Sequence, residues 1–172
     1  MNTTIDPTLR YLGSHAELMV ILTRLHLFSQ MGHLMEPEQQ RKNAEDFINP
    51  IHAAIMEHHA EEERELFVEL QAQPASDEDK QLVVSLVNRL TREHRSIERQ
   101  WDTIHQALNT LLAGGSELPS QEDCGELAER YQQHAMFEET VMLPLARKLL
   151  LNQDGSSSAE LSHRIDHMPR FF

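Results

Sequence analysis

Basic charge is scarce in this chain: 15 lysines and arginines stand against 28 aspartates and glutamates, a formal net charge of −13. A nucleic-acid backbone or an anionic membrane surface would repel such a protein, so neither is an expected partner. Cysteine is almost absent too. Cys124 stands alone and cannot close an internal disulfide, which suits a reducing cytoplasm, and a buried or half-exposed thiol without a role is its expected state. The opening Met1-Asn2-Thr3-Thr4 lacks the basic region and apolar run of a secretory signal. No apolar stretch reaches the length that spans a bilayer. Alternating Val, Ile and Thr of the strand type are missing, as is any glycine-rich phosphate loop. What remains is a soluble, cytoplasmic, all-α protein, and 172 residues are enough for one domain with a proper core.

Histidine, by contrast, is abundant, with eleven in the chain. Several fall inside helical apolar stripes. The first stripe, from about Pro7 to Met31, sets Leu12, His15, Met19, Leu22 and His26 at three- and four-residue spacing, with Asp6-Pro7 as its start and Gly32 as its stop. The second, from about Pro37 to Leu70, carries Ile51, Ile55, His58, Glu62 and Leu66, and Pro50 predicts a kink or break near Asn49. A third begins at the N-cap Ser76, runs through Val83, Val87, Leu90, His94, Ile97, Trp101 and Leu108, and stops at Gly114-Gly115. The fourth begins near Ser120 and carries Leu127, Tyr131, His134, Glu138, Val141 and Leu145, with a kink expected at Pro144. Four amphipathic helices with short connections predict an up-down-up-down antiparallel four-helix bundle over residues 1–151. Residues 152–172 read as a polar linker and a short terminal segment.

Core stripes normally hold Leu, Ile, Val and Ala, yet His58/Glu62 and His134/Glu138 each place a His and a Glu one turn apart on one face. A carboxylate buried without a partner costs several kcal/mol, so each Glu calls for a cation or a dense hydrogen-bond network. Depth gives an independent check, because residues at equal height in an antiparallel hairpin lie equally far from its turn. The midpoint of His15 and His58 falls beside Pro37, and that of the His58/Glu62 pair and His94 falls beside Ser76. The midpoint of His94 and the His134/Glu138 pair falls on Gly114-Gly115. All four stations therefore meet at one height, whereas His26 paired with His58 has its midpoint well past the Gly32–Pro37 break. His15 is the expected ligand on the first helix, and His26 a core or outer residue. Imidazole and carboxylate together favour iron, manganese or zinc over calcium or magnesium. The zinc-protease order His-Glu-x-x-His is absent, as is the Glu-x-x-His of ferritin-like bundles.

These residues resemble the hemerythrin-like, or HHE cation-binding, domain family. The likeness is carried by His58-His59-Ala60-Glu61-Glu62-Glu63-Arg64-Glu65-Leu66-Phe67 and by His134-Ala135-Met136-Phe137-Glu138-Glu139-Thr140-Val141-Met142-Leu143-Pro144. Glu93-His94-Arg95 and Ser14-His15-Ala16-Glu17-Leu18 fit the other two stations, so the resemblance covers about residues 8 to 150. It implies a di-iron site, two irons per chain, bridged by Glu62 and Glu138 and with His15, His58, His94 and His134 as terminal ligands. One departure stands out. Oxygen carriers of the family have a second His one turn after the helix-three ligand, and this chain has Glu98 there, which either ligates that iron or lies aside and leaves a position open. Iron–sulfur-repair members share the four-His, two-Glu set but usually carry an additional N-terminal Cys-containing segment, which is not expected here.

Other residues have plainer readings. His59 and Glu63 lie one residue off the stripe and are expected in solvated or outer roles. The rest of the acidic run Glu61–Glu65 reads as an exposed face. Trp101 and Tyr131 read as packing, with Tyr131 one turn before His134. His163 and His167, near Arg170-Phe171-Phe172, suit either docking of the tail on the bundle or self-association into a homo-oligomer. Three functions compete: a redox-active di-iron protein binding oxygen, nitric oxide or peroxide in a sensing or stress role; an iron-responsive or iron-donating module acting through a partner surface; and a metal-free bundle. The last leaves two core glutamates uncompensated.

Overall fold

The computed structural model describes the backbone at residues 9–73 and 76–150, and within these the side chains from His15 onward. All regular structure among the described residues is helical. The first rod is α1 (Leu9–Met31), closed by a 3₁₀ turn at Gly32–Leu34. The second consists of α2 (Pro37–His52), a π turn (Ala53–Glu57), α3 (His58–Glu61), a second π turn (Glu62–Leu66) and α4 (Phe67–Ala72). The third is the uninterrupted α5 (Asp77–Leu112). The fourth is α6 (Gln121–Phe137), a π turn (Glu138–Met142) and α7 (Leu143–Leu150). The expected Asp6-Pro7 start and the segment 152–172 lie outside the described residues.

Local chemistry explains the ends. Ser76 Oγ accepts the Asp79 N–H at 3.1 Å and donates to the Asp79 carboxylate at 3.0 Å. Together with Asp77 and Glu78 in the first turn, this satisfies the start of α5 and complements its dipole. Ser120 Oγ accepts from the Asp123 N–H at 3.2 Å and starts α6 in the same way. Gly114 takes φ 97° after α5, a conformation that suits glycine, and the Gly115 N–H returns to Thr110 O at 2.9 Å.

Pro50 does not break the second rod at Asn49. It lies inside α2, and the irregularity comes just after it, as the π turn at Ala53–Glu57. Pro144 follows a π turn directly: the Leu143 N–H closes an i→i−5 bond to Glu138 O, so the ladder is already widened where proline has no N–H to give.

Helix α1 packs on α2 and α6, and α5 packs on the same two, so the four rods close into a ring of neighbours. Their apolar stripes fill two separate plugs. One holds Leu22, Ile51, Ile55, Ile97, Trp101 and Leu127 among others, and the second holds Leu66, Leu70, Leu86, Leu90, Val141 and Leu145. Trp101 and Tyr131 are fully buried, as packing residues should be. Cys124 is buried beside them, and burial pushes its thiol up to about 12, so it is inert at neutral pH. A gap separates the plugs between Ile55 and Leu66 on the second rod and between Leu90 and Ile97 on the third, and on the fourth they come nearest at Ala135 and Phe137. The polar residues fall in that gap. No helix among the described residues is long and apolar enough to cross a membrane.

Candidate metal centre

His15, His58, Glu62, His94, His134 and Glu138 are all buried, and none is more than 8% exposed. Between two apolar plugs, such a layer is stable only if its charges compensate one another or hold a cation. The donor atoms form two groups, each within 4.8 Å: His15, His58, Glu62 and Glu138, and then Glu62, His94, His134 and Glu138. Both glutamates belong to both groups. His26 joins neither; its ring contacts Gln30 and lies over Gly125, where a Cβ would meet it at 2.7 Å.

Each His-x-x-x-Glu ends on a π turn whose first residue is the glutamate, at Glu62–Leu66 and at Glu138–Met142. The widened turn brings an additional residue per cycle and turns the helix past the carboxylate, so Leu66 and Val141 return to the core below it.

Three of the imidazoles are held from behind by carboxylates whose imidazole partners the sequence did not identify. His15 Nδ1 lies 3.1 Å from Glu139, His94 Nδ1 2.8 Å from Glu63, and His134 Nδ1 3.2 Å from Glu93. An ionised carboxylate can only accept, so each Nδ1 donates and each Nε2 is directed inward. Glu93 is itself fixed by Arg89 at 2.7 Å, and that guanidinium lies 3.6 Å over the Phe137 ring. Burial would raise the Glu93 carboxyl, but His134 and Arg89 outweigh it and hold it below the usual range.

Several of the inner atoms converge without hydrogen bonds. His94 Nε2, His134 Nε2, Glu62 Oε2 and both Glu138 oxygens are buried with no hydrogen-bond partner. His134 Nε2 and Glu138 Oε1 are 3.3 Å apart, and His94 Nε2 and Glu62 Oε2 3.4 Å, close without hydrogen-bond geometry. His15 Nε2 and His58 Nε2 hydrogen-bond each other at 3.0 Å. Protons compensate in part. Burial and the adjacent Glu138 push the Glu62 carboxyl up to about 7. Burial opposes a charge on His94, but Glu138, Glu62 and Glu63 outweigh it and raise that imidazole well above its ordinary value. His15 is raised by Glu138 against its burial, whereas burial lowers His58 to about 4. Glu138 stays ionised: burial works against it, and His134, His15 and His94 prevail. A divalent cation satisfies these inward atoms where protons do so incompletely, and the donor set fits first-row metals.

Glu98 lies to the side. Its carboxylate is taken by Arg95 at 2.7 Å and by His59 Nδ1 at 3.2 Å, and it belongs to neither donor group. His59 is not solvated: it is fully buried, with its ring 3.9 Å from that of His94. Glu63 is half-buried behind His94, with Arg95 as its second partner. Adjacency was the only available signal, since Glu63 and Glu139 each follow a core glutamate and Glu93 precedes His94. Tyr131 is buried with its hydroxyl unpartnered, its ring 6.0 Å from those of both His15 and His134.

Residues 11–146 match the family model described as Hemerythrin HHE cation binding domain. That is most of the chain, and the chain belongs to this family. No curated protein and no solved structure matches it.

Proposed function

As a hemerythrin HHE protein this chain is a cation binder, and we propose that it is a non-haem di-iron protein. In this reading the bundle runs up-down-up-down, His15 and His58 would hold one iron, His94 and His134 would hold the other, and Glu62 and Glu138 would serve both. The observation that carries it is the sharing of both glutamates between two four-residue donor groups. A single ion would leave one pair of imidazoles unused, whereas two ions use every inward atom. Metal held there supplies redox change and a binding position for a small ligand. The chain's own residues fix the imidazoles from behind, and the apolar plugs exclude water above and below.

The ligands proposed are oxygen, nitric oxide or peroxide, in a sensing or stress role. A layer closed by Leu, Ile and Trp leaves little room for anything larger. Anaerobic reduction of the iron-loaded protein, followed by mixing with oxygen or nitric oxide, tests this. A change in the absorption spectrum within the mixing experiment is expected. An inert reduced protein would overturn the ligand-binding role and leave an iron-donating module in its place.

A further inference from the structure

One buried imidazole is not accounted for by the six-donor site. His59 follows His58 directly in α3 and is 0% exposed. Its Nδ1 lies 3.2 Å from Glu98 Oε1, and its Nε2 is buried with no hydrogen-bond partner. Its ring centroid is 3.9 Å from that of His94 and 5.4 Å from that of His134, and the three residues offer donor atoms within 4.8 Å of one another. The support behind it repeats that of His94 and His134, a carboxylate on Nδ1 and a buried Nε2 without a hydrogen-bond partner. Arg95 ties the two supports together, since it bonds Glu98 behind His59 and pairs with Glu63 behind His94. If His59 only filled space, an apolar side chain would do so without burying an unpaired nitrogen.

We propose that His59 is a fifth imidazole ligand, which completes with His94 and His134 a three-imidazole face for one divalent first-row metal. The proposal rests on the metal-binding reading above. It also assigns Glu98 as a positioning residue, which orients His59 and does not itself reach the metal. One geometric consequence follows. An ion lies in the plane of every imidazole that binds it, whereas the His59 and His94 rings are stacked with only 6° between their planes. Sharing one ion requires one of them to turn out of this stack when metal enters.

The test uses the full chain, labelled with ¹⁵N-histidine and loaded with cobalt(II) as a paramagnetic probe. Counting the shifted histidine signals gives the number of bound imidazoles. Five are expected, from His15, His58, His59, His94 and His134, and His59→Ala should remove one. In that variant a chelator should strip one of two metal equivalents about ten-fold faster or more, and added imidazole should slow the loss again. Glu98→Gln should keep five signals with one displaced. Two bound metals with four imidazole signals in the unaltered chain would overturn the proposal alone, whether or not His59→Ala folds. A chain that takes up no metal would overturn the di-metal reading as well.

Discussion

Glu62 and Glu138 each occupy the first position of a π turn, four residues after a buried histidine, one on the second rod and one on the fourth. The two glutamates are thus presented by the same local device on different helices, with His58 and His134 one turn before them. A pair of carboxylates buried at 1% exposure each is unfavourable in isolation. Together they mark where a cation would be held.

Removing a donor from this layer should cost both metal and stability. Glu138→Ala and His58→Ala are expected to lower metal occupancy after iron loading and to lower the thermal midpoint of the loaded protein, because binding is linked to folding. Metal analysis and calorimetry on the same samples check both effects.

On α1 the two histidines should separate cleanly. His15→Ala is expected to lose metal, since His15 Nε2 faces His58 Nε2 at 3.0 Å. His26→Ala should retain it, since His26 hydrogen-bonds Gln30 and packs over Gly125. Metal retained by the first variant and lost by the second would invert the register of the first two rods.

The outer carboxylates carry a graded prediction. Glu93→Gln keeps the shape behind His134 but removes the charge that fixes its tautomer and raises its basicity. A loss of about 10- to 100-fold in metal affinity is expected, measured by competition with a chelator of known strength. Glu129→Gln is the control, on an exposed residue whose partner in the structure is Gln133.

Much of this site was legible in the sequence because helical periodicity is a strong signal where polar residues interrupt an apolar stripe. His58/Glu62, His94 and His134/Glu138 stood out on that ground, and the turn midpoints placed His15 level with them. The outer carboxylates were not legible. Glu63, Glu93 and Glu139 lie one residue from a stripe position, and their inward role depends on which neighbouring helix presents an imidazole nitrogen. His59 was expected in a solvated or outer role, and its full burial was hidden for the same reason: the sequence pattern does not show the π turns on either side of α3.

Metal uptake near neutral pH should release protons. The Glu62 carboxyl, pushed up to about 7 by burial and by Glu138, is partly protonated at pH 7 in the metal-free protein. His94, raised well above its ordinary value, holds a proton there as well, and His15 is shifted in the same direction. A cation replaces these protons, so apparent affinity should rise with pH through the neutral range. The sign is fixed: raised groups oppose binding while protonated and cease to do so above their folded values. Titration calorimetry in buffers of different ionisation enthalpy measures the number of protons released.

In the proposed reading this layer holds two metals. Iron quantified per chain, after anaerobic loading and removal of loosely bound ions, tests it most directly. About two irons per chain are expected, one for each donor group sharing Glu62 and Glu138. Less than about half an iron per chain after loading would contradict the site.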